Sequence, residues 1–188
     1  GDDVDAVEPA PAGALAAEEG HLAPRDECRS LPGAGAFRAA LAAAVRRRDA
    51  GAMARLSASD IKLDFGGTTG PRAFEQRLRG AQGAALWREL DALLTLGCAV
   101  QDGDLVLPWL FAQDIGENEN FDRVVVAGAN VPLREGPAPG ARRLRLLSWV
   151  LVRQLDPASA TPPRFTRVRL DGGTVTGSVE TASLRSQT

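Results

Sequence analysis

The side chains that could do chemistry are few and scattered. His21 is the only histidine, and it lies in a stretch with no apolar periodicity to position it. A Ser-His-Asp or Cys-His site needs a positioned base, so none can be built here. Cys28 and Cys98 are the only cysteines, and their spacing fits no metal motif. A structural zinc site would lack ligands. The two either pair as a disulfide in an oxidising compartment or stay as two buried thiols, a choice that geometry decides. The run Gly66-Gly67-Thr68-Thr69-Gly70 could offer backbone amides to an anion. It lacks the lysine and the length of a phosphate loop and reads as a strand-to-helix turn. Asp114, Glu117 and Glu119 match no EF-hand spacing and read as a solvated connection. Asp64 with Glu89 is the one carboxylate pair to weigh for sugar hydrolysis, which needs a general acid of raised pKa in a cleft. No catalytic residue, metal ligand or cofactor is assigned, and the expectation is a protein that is not an enzyme.

The elements that would position any site must come from 188 residues, room for one or two small domains with real cores. No stretch is apolar and long enough to span a bilayer. A net charge of −2 gives no strong pull toward nucleic acid or anionic lipid. Charge is uneven, however. The first segment is acidic (Asp2, Asp3, Asp5, Glu8, Glu18, Glu19), whereas the last third is rich in arginine. These arginines read as scattered solvated side chains on strands, with a basic face as the alternative. Lys62 is the only lysine and tyrosine is absent, a bias that suits a GC-rich genome. The chain opens on Gly rather than Met, and the expectation is a removed signal sequence or a cloning scar, with room for a lipid anchor upstream.

Residues 1–27 read as a disordered acidic arm, rich in Ala, Pro and Gly. A helix is predicted from Phe37, because Phe37, Ala40, Leu41, Ala44 and Val45 share one face. Asp49 should cap a second short helix carrying Met53 and Leu56. Ile61, Leu63 and Phe65 alternate with Lys62 and Asp64, which predicts a half-buried strand. Pro71 should open a third helix, carrying Phe74 and Leu78. A longer one from about Ala84 should bury Leu86, Leu90, Leu93 and Leu94 beside Trp87, ending at Gly97. Asp102-Gly103 predicts a tight hairpin turn, with Pro108 to Phe111 continuing its second arm at a sheet edge. Residues 28–115 are therefore expected to form an α+β domain of helices over a small sheet.

From Asp122 onward short strands and turns dominate. Phe165 to Leu170 alternates, with Thr166, Val168 and Leu170 facing one way and Phe165, Arg167 and Arg169 the other. Asp156 to Pro163 is a proline-rich loop. Glu180 to Arg185 suits one helical turn and a last strand. About five strands over residues 122–188 suit a small closed barrel, which leaves no open edge. Trp87, Trp109 and Trp149 read as core or domain-interface residues.

Asn130, Arg134 and Gly136-Pro137, then Phe165-Thr-Arg-Val-Arg-Leu-Asp-Gly-Gly173, Thr176-Gly177-Ser178-Val179 and Leu184 stand in an informative order. This succession resembles bacterial SH3 (SH3b) domains. Ser178 stands where that family usually has Trp, and Phe165 opens its strand in place of Trp. Asn130 lies one residue further from Arg134 than usual, which predicts a bulge. The resemblance implies an SH3-like barrel that binds peptide in a groove between its long loops. Arg134, Phe165, Arg167 and Trp149 are the candidate lining residues, Arg134 being also the natural structural tie to backbone carbonyls. The expected ligand is a cell-wall stem peptide or a partner protein. Phe37-Arg38, Arg48-Asp49, Lys62 to Gly67, Leu86-Trp87 with Glu89-Leu90, and Leu96-Gly97 are similar to a region that precedes such domains in some exported proteobacterial proteins. That similarity implies a periplasmic or cell-envelope location. The expectation is thus a non-enzymatic exported adaptor. Its alternatives are a structural module with a degenerate barrel packed on the first domain, and a carboxylate-dependent hydrolase in that domain.

Overall fold

A computed structural model describes residues 15–116, 121–156, 159 and 161–187. Among the described residues, four helices and a large, mostly antiparallel sheet make an α+β fold. The chain divides into two compact units. One is formed by residues 24–114, the other by the segments before and after it.

The first described element is a strand, β1 (Ala16–Glu19). It corrects the expectation of an unstructured arm over residues 1–27, of which 1–14 lie outside the described residues. Ala-Ala-Glu-Glu has no strand propensity of its own. Tertiary pairing, invisible in a local pattern, makes it a strand.

The unit 24–114 holds α1 (Ala34–Arg47), α2 (Ala50–Leu56), α3 (Pro71–Arg79) and α4 (Gly83–Leu93). The Asp49 carboxylate accepts the Ala52 N–H at 2.8 Å and caps α2, and Pro71 begins α3. Ala44, Val45, Met53, Leu78 and Trp87 form the buried core of the four helices. Phe37, expected on the buried face, is exposed in the first turn of α1. Gly83 is needed where α3 meets α4, since a Cβ there would lie 2.1 Å from the Leu78 carbonyl oxygen.

A hairpin of β2 (Ala99–Gln101) and β3 (Asp104–Val106) follows. Its turn residues Asp102 and Gly103 both have positive φ, 53° and 88°, as a type I′ turn requires. Beyond it the expected strand arm fails. Trp109–Ala112 is a 3-10 turn, entered from Pro108, in which Trp109 and Leu110 are buried. Trp109 Nε1 donates to the Glu27 carboxylate at 2.8 Å, which satisfies the polar end of a buried ring. Cys28 and Cys98 form a disulfide, with Cα atoms 5.8 Å apart, inside a second cluster with Ala34, Leu31, Leu105 and Leu107.

The strand predicted over Ile61 to Phe65 is also absent. Only a single bridge between Lys62 and Thr69 forms there, and Phe65 is fully exposed. The Asp64 carboxylate accepts the Thr68 N–H and pairs with Arg77, so the segment closes into a turn before a ladder can extend.

The other unit holds β4 (Arg123–Val126), β5 (Val131–Arg134), β6 (Arg143–Ser148), β7 (Leu151–Gln154), β8 (Phe165–Leu170), β9 (Thr176–Glu180) and β10 (Leu184–Arg185). With β1 they form one sheet, in the order β1-β6-β5-β9-β8-β7-β4-β10. Every pairing is antiparallel except β1 on β6. Closure would require the outermost strands to pair; β1 and β10 instead end the order, so a closed barrel is not what the pairing gives. Val124, Val126, Leu133, Leu147, Val152, Val168 and Val179 make its core. Each such aliphatic side chain contributes about 2 kcal/mol by leaving water. Alternation in β8 is as expected for Thr166 and Val168, buried, against Arg167 and Arg169, exposed. The register shift in this pair is not the one expected from the spacing of Asn130 and Arg134: Leu133 faces Arg145 and Arg134 faces Arg143, so the extra residue is Leu144, in β6.

Candidate functional site

Two concave surfaces of the sheet unit meet at the 3-10 turn Thr181–Ser183, which links β9 to β10. The first, of about 250 Å³, is lined by Asp156, Pro162, Pro163, Thr166, Thr181 and Leu184, among others. The second, of about 300 Å³, is lined by Asn130, Val131, Pro132, Arg134, Glu180 and Ser183, among others.

The first groove has a fixed floor. Thr181 Oγ1 donates to the Pro163 carbonyl at 2.6 Å and shares a 2.8 Å hydrogen bond with Thr166 Oγ1. The Thr181 N–H donates to the Arg164 carbonyl. The 3-10 turn is thereby tied to the loop between β7 and β8. Asp156, in that loop, accepts the Arg167 N–H at 3.0 Å and brings a carboxylate to a groove whose apolar wall is Pro162, Pro163 and Leu184 and whose remaining lining is polar. Ser159 forms part of the outer wall, held to Thr161 by two local hydrogen bonds. The groove follows Leu184 of β10, the outermost strand on that side. Such an edge presents backbone donors and acceptors that an extended peptide can use.

The second groove is positioned by the turn into β5. Asn130 has φ 56°, and its N–H donates to Ser148 Oγ at 3.0 Å. Pro132 in β5 carries no N–H. The carboxylate of Glu180 is held by Arg164 at 3.0 Å.

Of the four residues expected to hold ligand, Arg134 lines the second groove, and its guanidinium donates to the Ala141 carbonyl at 3.1 Å. The backbone tie read from sequence is present. Phe165, Arg167 and Trp149 line neither groove. Phe165 is buried, with the Arg164 guanidinium over its ring at 5.4 Å from the centroid. Arg167 is exposed on β8, and Trp149 sits half-buried at φ 52° in the turn between β6 and β7. Sequence reasoning missed Asp156, Thr181 and Leu184. The one available signal was the proline-rich loop beside them, since loops on a rigid scaffold carry binding residues more often than strands.

In the helical unit, Arg47, Arg48, Asp49, Arg79 and Trp87 line an open cleft of about 780 Å³. Arg48 donates to the Val45 and Trp87 carbonyls and pairs with Asp91, while Arg79 pairs with Glu75. Those two arginines hold structure. Asp64 is unsuited to acid catalysis. The Thr68 backbone N–H, and then Arg77, push its carboxyl down to about 2, the reverse of what a general acid needs. His21 is exposed. Among the described residues no group of three or more His, Cys, Asp or Glu side chains could hold a metal ion; Glu117 and Glu119 lie outside those residues. Among the described residues no helix is long and apolar enough to cross a membrane.

The chain matches no protein-family model, no curated protein and no solved structure, so the grooves beside the 3-10 turn are read from their own geometry.

Proposed function

We propose that this is a non-enzymatic binding protein whose sheet unit takes an extended peptide along the grooves flanking Thr181–Ser183. The observation that carries the reading is the shared 3-10 turn. Two concavities lie on either side of it, one along the outer strand β10, with an apolar wall and a carboxylate at Asp156. That combination suits a main chain seeking edge hydrogen bonds and small apolar side chains seeking cover.

The SH3-like description belongs to the same proposal. Its support is the succession of elements: β4, a long β5–β6 hairpin, the β7–β8–β9 meander, a 3-10 turn, and β10 returning to β4. A location in an oxidising compartment, periplasm or cell envelope, is proposed with it, because structural disulfides such as Cys28–Cys98 persist there. Under this reading the ligand is a cell-wall stem peptide or an extended segment of a partner protein.

The test is co-sedimentation of the full chain with purified peptidoglycan, beside titration with soluble stem peptides and unrelated extended peptides. Binding that Ser159→Trp weakens, by filling the first groove from its rim, supports the reading. Peptide binding that ignores this substitution, or none to any of these ligands, contradicts it.

A second reading, a structural module that binds no peptide, draws on Phe165 being buried and Arg134 being tied to Ala141. Absence of peptide binding with an intact fold would favour it.

A further inference from the structure

The outer edge of β6 is occupied by β1, in parallel register from Ala16 opposite Arg145 to Glu19 opposite Ser148. Backbone bonding, one ion pair and the burial of Leu22 three residues beyond Glu19 hold the strand. Three of its four residues are exposed, and the side-chain tie is the ion pair of Glu18 with Arg145. The pair is partly buried, with Arg145 31% and Glu18 38% exposed, and screening by water at that exposure leaves it about 1 kcal/mol at most. Alanine and glutamate are poor strand formers. The extended conformation of Ala16–Glu19 is therefore imposed by the edge it joins. Just beyond it, the Gly20 N–H donates to the Ser148 carbonyl at 2.7 Å, and a Cβ on Gly20 would lie 2.0 Å from the Trp149 carbonyl oxygen. Only glycine lets the chain stay this close.

We infer that the β6 edge is a strand-acceptor site for an acidic extended segment of a partner protein, for which β1 is the weakly held resident. The acceptor supplies two recognition elements. Its backbone sets a parallel register, and Arg145 selects a carboxylate at the position of Glu18. A segment with β-branched residues at the alanine positions and an acid at that position forms the same ladder with better propensity, and so displaces β1. This site lies on the β6 side of the sheet order, opposite the β10 end used by the peptide groove, and is independent of that reading.

The experiment uses the full chain and a fluorescent peptide of residues 15–23 with Ala16→Val and Ala17→Val. Gly20→Val in the protein dislodges the resident strand. It should bind the peptide at least about tenfold more tightly than the unaltered protein, in which the tethered strand competes at high effective concentration. Glu18→Arg in the protein leaves the acceptor intact and repels the resident from Arg145. It should show the same gain, and it carries the comparison should Gly20→Val not fold. Glu18→Arg in the peptide should remove binding, and Arg145→Glu in the protein should restore it. Equal affinity for all protein variants, or indifference to the charge exchange, overturns the proposal. A concentration-dependent dimer of Gly20→Val that shuts out the peptide overturns it too, since the occupant would then be a second copy.

Discussion

Cys28 is bonded to Cys98 across a sequence separation of 70, and both side chains are wholly excluded from water. The bond sits beside a backbone splice. The Cys98 N–H donates to the Arg25 carbonyl, and the Glu27 N–H donates to the Cys98 carbonyl, each at 2.8 Å. The segment entering the helical unit is thus fastened to its hairpin by both main chain and sulfur. Replacing both cysteines by Ser, or reducing the pair, should cost about 4 kcal/mol through the freed chain entropy of so long a loop. Thermal melts with and without reductant check this; an unchanged melting temperature would show that the splice alone suffices.

The splice also explains Gly97. Its φ is 74°, and a Cβ would stand 2.2 Å from the Arg25 carbonyl oxygen. Gly97→Ala should destabilise the helical unit by about 1–3 kcal/mol, combining backbone strain with a forced shift. Denaturant unfolding of this variant beside the glycine-to-alanine change at Gly136, where a Cβ meets open space, provides the measurement and its control.

Asp64 should make the helical unit acid-sensitive over a defined window. Its folded pKa, about 2, lies below its ordinary value of 3.8, because the Thr68 N–H and Arg77 favour the charged form. The stabilisation is fully present above the ordinary value and is lost as pH falls through about 2. Asp64→Asn should flatten this part of the stability profile, and carboxyl NMR of Asp64 should follow the proton directly.

Phe65 should be dispensable for stability. It stands fully exposed at the tip of the turn that Asp64 closes, so Phe65→Ser should change unfolding free energy by less than about 0.5 kcal/mol. A half-buried strand there would have made the same change costly, so one denaturant curve separates the two arrangements.

Where a signal lies within a few neighbouring residues, the sequence was readable. Asp49 capping α2, Pro71 opening α3 and the Asp102-Gly103 turn appear as read, as do buried Thr166 and Val168 against exposed Arg167 and Arg169 in β8, whereas Phe165, read onto the arginine face, is buried. What local pattern could not carry depends on distant partners. β1 is a strand because β6 lies beside it, and Trp109 turns inward where Glu27 meets its indole N–H. The apolar alternation of Ile61 to Phe65 misled because Asp64 bonds Thr68, four residues on, and turns the chain first. For the candidate site, Arg134 was legible as a strand residue tied to a carbonyl. Asp156, Thr181 and Leu184 were not, since the β8–β9 register, with Phe165 opposite Glu180, sets Thr181 against Pro163 and Arg164, and the return of β10 to β4 adds Leu184 to the same groove.

The most direct test is an amide chemical-shift titration of the full chain with a soluble stem peptide and with unrelated extended peptides. The account predicts that a binding peptide shifts the amides of Asp156, Thr181, Ser183 and Leu184 first, and that Ser159→Trp suppresses those shifts. Saturable binding whose shifts fall instead on residues remote from the Thr181–Ser183 turn, or no shift with any peptide, would contradict it.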